Sequence, residues 1–117
     1  MTNDEFQNYL APYLAAVSGR KAREIVVLDV RGRTSIADAL IVCCGNSNRQ
    51  VSAIADFVVR SLRDQGIKPL SVEGLSEGRW VLLDYGGIII HVFYESTRRF
   101  YDIEGLWSDA DRLDLSS

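Results

Sequence analysis

The groups in this chain that could carry chemistry are few: one histidine, His91; two adjacent cysteines, Cys43 and Cys44; and the carboxylates Asp29, Asp38 and Asp84, set in or beside apolar runs. A cysteine nucleophile needs a base within hydrogen-bond reach, and His91 is the one imidazole present. It also needs a third group to orient that imidazole, and none is evident. Cys43 and Cys44 lie in a segment that reads as strand, so they point to opposite faces, and two reduced core thiols are preferred to a disulfide or a metal pair. A nucleotidyl transferase would cluster carboxylates on a strand around a divalent ion. Asp84 stands alone on its strand, and the Asp-x-Asp of Asp109 and Asp111 falls in a polar tail. No catalytic residue, metal ligand or cofactor is assigned. The Gly45-Asn46-Ser47 turn before a helix could cradle an anion on free N–H groups, but it lacks the glycine density and lysine of a phosphate loop, so ordinary capping is preferred.

These groups are positioned by elements that the hydrophobic pattern marks out. Thr2-Asn-Asp-Glu5 has capping-box spacing, and Phe6, Leu10, Leu14 and Val17 recur at helical intervals up to Gly19. Pro12 either kinks this helix or starts a shorter one. Glu24–Val30 reads as a strand, Arg31-Gly-Arg33 as a turn, and Ile36–Cys44 as a second strand, apolar on both faces apart from Asp38 and therefore central. Ser47-Asn-Arg-Gln50 gives a second capping box for a helix whose apolar face is Val51, Ile54, Ala55, Val58 and Leu62, ending at Gly66. A short extended piece around Leu70–Val72, a flexible loop over Glu73–Gly78 and a hairpin follow. Phe100, Ile103, Leu106 and Trp107 fit one carboxy-terminal amphipathic helix, with a frayed polar tail over residues 109–117. The sum is an α/β fold, a single domain over 1–117 with a mixed β-sheet and flanking helices.

The hairpin is the most informative element. A two-residue Gly86-Gly87 turn pairs Tyr85 with Ile88, Asp84 with Ile89, Leu83 with Ile90, Leu82 with His91, Val81 with Val92 and Trp80 with Phe93. Alternation then sends Val81, Leu83, Ile88, Ile90 and Val92 to one face, the core, with Tyr85 at its edge. Trp80, Leu82, Asp84, Ile89, His91 and Phe93 share the other, a half-exposed aromatic patch holding one carboxylate and one imidazole, the composition of an interface anchor.

At 117 residues and 47% hydrophobic content the chain can build a core without disulfide or metal staples. A net charge of -3 argues against a phosphate backbone as the main partner and leaves a basic protein open. Asp4 and Glu5 stand where a transit peptide would be acid-poor, and the sequence holds neither a signal-like apolar core nor a membrane-length apolar run, so the expected compartment is cytoplasmic.

Thr34-Ser-Ile-Ala-Asp38, Gly45-Asn-Ser-Asn-Arg-Gln-Val51, Glu73-Gly74, Trp80-Val-Leu-Leu-Asp-Tyr-Gly86, His91-Val-Phe93, Arg99-Phe-Tyr101 and Leu106-Trp107 together resemble the ribosomal silencing factor family, RsfS, also called Iojap or YbeB. The likeness spans almost the whole chain. It implies a nucleotidyltransferase-like core without that superfamily's catalytic carboxylates, and a non-enzymatic protein. Such a protein binds the large ribosomal subunit through ribosomal protein fourteen, blocks joining of the small subunit and represses translation when nutrients are scarce. A nucleotidyltransferase-type enzyme and a large-subunit assembly factor are the alternatives, and a homodimer of the free protein is open. By the same resemblance, the ribosome-facing surface maps to Trp80, Leu82, Asp84, Tyr85, His91 and Phe93, with no membrane and no sequence-specific nucleic acid as partner. Ala39, Cys43-Cys44 and Gly87 depart from the family pattern, and Gly87 removes an acidic contact from the turn.

Overall fold

The run Ala39–Gly45 forms β2, and every one of its residues is buried. A strand buried on both faces must be central and covered from both sides. In the computed structural model, which describes residues 1–113, the other elements do this. They are α1 (Asn3–Ser18), β1 (Arg23–Asp29), β2, α2 (Asn48–Asp64), β3 (Ser71–Glu73), β4 (Trp80–Asp84), β5 (Ile88–Tyr94), α3 (Glu95–Tyr101), α4 (Ile103–Leu106) and β6 (Asp111–Leu113). One mixed sheet orders the strands β3-β4-β5-β2-β1-β6. β2 and β5 are parallel, joined by the crossover that contains α2, and the other pairs are antiparallel. The mixed α/β fold expected from the sequence is the one observed.

α1 and α2 cover one face. Thr2 Oγ1 accepts from the Glu5 N–H at 3.2 Å while Glu5 Oε1 accepts from the Thr2 N–H at 3.0 Å, a complete capping box. The helix runs unbroken through Pro12 to the Gly19 cap. At α2, Ser47 Oγ accepts from the Gln50 N–H at 3.0 Å, but the Gln50 side chain reaches back to the Asn46 N–H, so that box is only half formed. Phe6, Leu10, Tyr13 and Val17 of α1 and Val51, Ile54, Val58 and Leu62 of α2 pack on Ile41, Cys43, Val81, Leu83, Ile88, Ile90 and Val92. Hairpin register and core face match the sequence reading.

Several boundaries differ. β2 starts at Ala39 rather than Ile36, because Thr34–Asp38 bends to bring the Asp38 N–H onto the Gly87 carbonyl at 2.7 Å, leaving Ile36 76% exposed. The Glu73–Gly78 loop, read as flexible, is pinned: Ser52 Oγ donates to the Leu75 carbonyl at 2.7 Å. Gly74 and Gly78 have φ of 83° and 68°. A Cβ there would lie 2.1 Å from the Trp80 carbonyl oxygen and 2.2 Å from that of Asn48, so only glycine fits this entry to β4.

The carboxy-terminal helix is two helices. Asp102 adopts a left-handed conformation (φ 45°) and its Oδ1 accepts from the Gly105 N–H at 3.1 Å, which ends α3 and caps α4. The break lets Ile103 and Trp107 turn onto the second face of the sheet against Leu28, Val30 and Leu40, while Phe100 and Leu106 stay exposed. The tail expected to fray from Asp109 instead forms β6 on the edge of β1, paired from Val27↔Leu113 to Asp29↔Asp111; residues 114–117 of that tail lie outside the described ones.

The alternation of β4 predicts opposite results for neighbours. Leu83→Ala should lower unfolding free energy by about 2–5 kcal/mol, the range for a buried leucine, and half-buried Leu82→Ala by clearly less. Denaturant titration of both variants checks this, and equal losses would overturn the assignment of faces.

Candidate protein-interaction surface

Of the six residues assigned to a partner surface, the structure leaves Trp80, Leu82 and Asp84 accessible on the second face of β4. Phe93 is fully buried and His91 is 6% exposed, so neither belongs to a half-exposed patch; they form its floor. The cover comes from α3, whose return over β5 no local pattern marks. Trp80 roofs them, with ring centroids 5.0 Å from Phe93 and 5.9 Å from His91, and Tyr101 lies against Trp80 at 4.7 Å. The indole Nε1–H donates to His91 Nδ1 at 3.1 Å, which supplies the buried imidazole with a partner. Tyr85 falls on the other side of the sheet. Its ring meets Tyr13 edge-on at 5.4 Å, its hydroxyl is buried with no hydrogen-bond partner, and burial pushes that hydroxyl up to about 12.

Sequence reasoning missed the α3 contribution. Phe100, 80% exposed, stacks edge-to-face on Tyr101 at 5.0 Å, extending the aromatic surface from Trp80 onto the helix. Phe100, Tyr101 and Trp80, with Glu77, Arg79, Ser96 and Thr97, line an open groove of about 620 Å³. The signal was the adjacent aromatic pair of Arg99-Phe-Tyr101, split by the helix between a half-covered and an exposed position. On β4 and β3, Glu73 lies opposite Leu82 and Ser71 opposite Asp84, so the open strip is apolar in the middle with carboxylates beside it.

The groups weighed for catalysis are separated or already engaged. Cys43 is sealed under the helices, where burial pushes its thiol up to about 12, and Cys44 faces the other way, toward Arg98 Nη1 at 3.5 Å. His91 Nδ1 is occupied by Trp80. Asp29 binds Arg31 through both oxygens at 3.0 and 2.8 Å, and that guanidinium holds its carboxyl below the usual range. Asp84 Oδ1 accepts from the Gly86 N–H at 2.8 Å, bracing the hairpin turn. The Asn46 N–H and Ser47 Oγ of the candidate anion turn both bond Gln50. Among the described residues, no three His, Cys, Asp or Glu side chains are grouped to hold a metal.

A second element of the site was also unmarked in the sequence. Arg98 is buried on α3, where its Nε and Nη2 meet Glu104 Oε1 and Oε2 at 2.9 and 3.2 Å across the Asp102 break. This bidentate pair holds α3 and α4 together beside Trp80, and Arg98 holds the Glu104 carboxyl below its ordinary value.

Burial lowers the His91 pKa from 6.5 to about 4. The unfolded chain therefore binds a proton that the folded chain does not between those values, so stability present above about pH 6.5 is lost as pH falls toward 4. His91→Phe should flatten that part of the stability curve. Denaturant midpoints measured across the interval check it, and an unchanged slope in the variant would place the titration elsewhere.

Comparisons with known proteins bear on the family and the fold. The family model described as "Ribosomal silencing factor during starvation" matches residues 3–117. The chain is 39% identical over 109 residues to a ribosomal silencing factor RsfS of Halalkalibacterium halodurans, covering 93% of each protein. A crystal structure of a Bacillus halodurans protein superposes with a TM-score of 0.82 at 36% identity, covering 93% of this chain and 99% of that one. Further off, a mouse protein named for mitochondrial assembly of the ribosomal large subunit is 28% identical over 90 residues, 74% of this chain and 40% of that protein. A match over nearly the whole chain, on a fold shared with the solved structure, means that this chain belongs to the ribosomal silencing factor family.

Proposed function

We propose that this protein acts by binding rather than by catalysis: it docks on the large ribosomal subunit through ribosomal protein fourteen, at the face where the small subunit joins, and represses translation by excluding that subunit under nutrient limitation. The observation that carries this reading is the uncovered strip of β4, where Trp80, Leu82 and Asp84 face outward beside the Phe100–Tyr101 pair. Aromatic anchors around a short apolar centre with a few polar groups are the make-up of a protein interface core. Asp84, Glu73 and Glu77 at its margin suit a basic partner, as ribosomal proteins commonly are. His91 and Phe93 serve as the floor that fixes Trp80, and Tyr85 lies outside the surface, packed on Tyr13 at the opposite face. The proposed setting is the cytoplasm; no helix among the described residues is long and apolar enough to cross a membrane. A role in large-subunit assembly, favoured by the name of the mouse relative, would use the same surface.

Co-sedimentation with purified subunits tests the reading. The protein should pellet with large subunits and reduce joining when added before small subunits, with much less effect on preformed ribosomes. Binding to small subunits alone, or efficient splitting of joined ribosomes, would sink it. Leu82→Lys should weaken binding at least tenfold, about 1.4 kcal/mol, with little change in the melt. Asp84→Asn keeps an oxygen for the Gly86 N–H and so keeps the turn, while its smaller binding loss should fade as salt rises. Trp80→Ala should cost about 2–4 kcal/mol of binding. Because Trp80 also roofs His91 and Phe93, that variant should melt lower as well, unlike a purely exposed anchor.

A further inference from the structure

Charge in this chain is segregated. Seven of its 13 basic residues, Arg20, Lys21, Arg23, Arg49, Arg60, Arg63 and Lys68, lie in the turn from α1 to β1, on α2 or just beyond it, against three of its 16 acidic ones, Glu24, Asp56 and Asp64. The pairing is segregated too. Of the other six, Arg31, Arg33, Arg98, Arg99 and Arg112 each form an ion pair, and Arg79 has none among the described residues. Among the first seven only Arg60 does so in the described residues, with Asp56 at 3.0 Å. A chain of net charge -3 thus carries an excess of four positive charges over the α1–β1 turn and the α2 segment, while Asp4 and Glu5 lie at the far end of α1 on the same helical layer.

The basic region holds a groove of about 380 Å³ lined by Arg20, Phe57, Arg60, Ser61, Arg63 and Asp64. The Arg20 guanidinium lies over the Phe57 ring, 5.0 Å from its centroid. This cation–π contact holds the guanidinium beside the groove, and the N–H groups it does not use suit recognition of a phosphate. Arg60 and Arg63 border the same groove, and Ser61 adds a hydroxyl. Asp64 lines the groove and Asp56 pairs with Arg60 at 3.0 Å, so the positive excess of the site rests on Arg20 and Arg63, and it suits a run of phosphates that both can reach.

We infer that this arginine groove on the outer side of the helical layer binds an RNA phosphate backbone without reading its sequence. The contact goes beyond the docking proposed for β4 and is independent of it. The two surfaces lie on opposite sides of the sheet, so both can be occupied at once. Net charge alone argued against this partner because it averages over a face with a local excess of the opposite sign.

Fluorescence anisotropy of the full chain with a labelled RNA hairpin tests the inference. Binding should be detectable at about 50 mM salt and fall as salt rises to about 200 mM, with a log–log slope of about −2 to −3 for three phosphate contacts. Hairpins of unrelated sequence should bind alike. Arg20→Glu with Arg63→Glu should reduce RNA affinity at least tenfold, and Arg63→Gln alone, at an exposed position without an ion pair among the described residues, should lower it measurably with little change in the melt, since it removes the charge from the last turn of α2 without reversing it. Leu82→Lys should leave RNA binding intact or slightly raised, which separates failure of this contact from failure of the β4 surface. Absence of RNA binding at low salt, insensitivity to both arginine variants, or binding to anionic phosphatidylserine vesicles but not to RNA would each overturn the inference.

Discussion

The requirement that both faces of β2 be dry governs the arrangement of the whole chain. Its seven residues, Ala39–Gly45, are all buried, so a single layer of helices would leave half of them in water. α1 and α2, the long helices, seal the first face over β1, β2, β5 and β4, leaving β3 exposed. The second face is left to α3, α4 and Ala110, which together span only enough to cover β1, β2 and β5. β3 and the part of β4 beyond Trp80 lie past the reach of this smaller cover. The open strip at Leu82 and Asp84 therefore follows from a mismatch in helix length on the two sides, and needs no special device to keep it exposed.

What could be read from the sequence was what local pattern determines. The hairpin register follows from a Gly86-Gly87 turn and strict alternation, and both are local. α2 was equally plain, because its apolar stripe and Ser47 cap lie within one segment. The misses share a cause. Phe93 and His91 looked available because their strand alternates correctly, but their cover comes from Trp80 and Tyr101, one on the neighbouring strand and one on a helix that doubles back. β6 looked like a solvated tail because Asp111 and Arg112 are polar, yet an edge strand needs backbone pairing with β1 more than an apolar side chain.

Arg98 illustrates the limit most plainly. In sequence it is one of two adjacent arginines, Arg98 and Arg99, with nothing to distinguish them. In the fold Arg99 sits exposed with an i,i+4 partner, Glu95, while Arg98 is buried against Cys44 and Glu104. Helical position decides the difference, and that position depends on where α3 ends. The left-handed residue at Asp102 sets that end.

The buried ion pair across that break has a bearing on how this sequence can change over time. A guanidinium shut away from water is tolerable while Glu104 grips it at two points, and Arg98 alone would be a charge stranded in a poor dielectric, whereas half-buried Glu104 would keep Arg112 at 3.8 Å. Replacing the pair together with apolar groups of similar volume passes through no such state. Arg98 and Glu104 are therefore expected to drift through lineages as a couple, kept or exchanged jointly, and Asp102 is tied to them because only its turn brings the two side chains face to face.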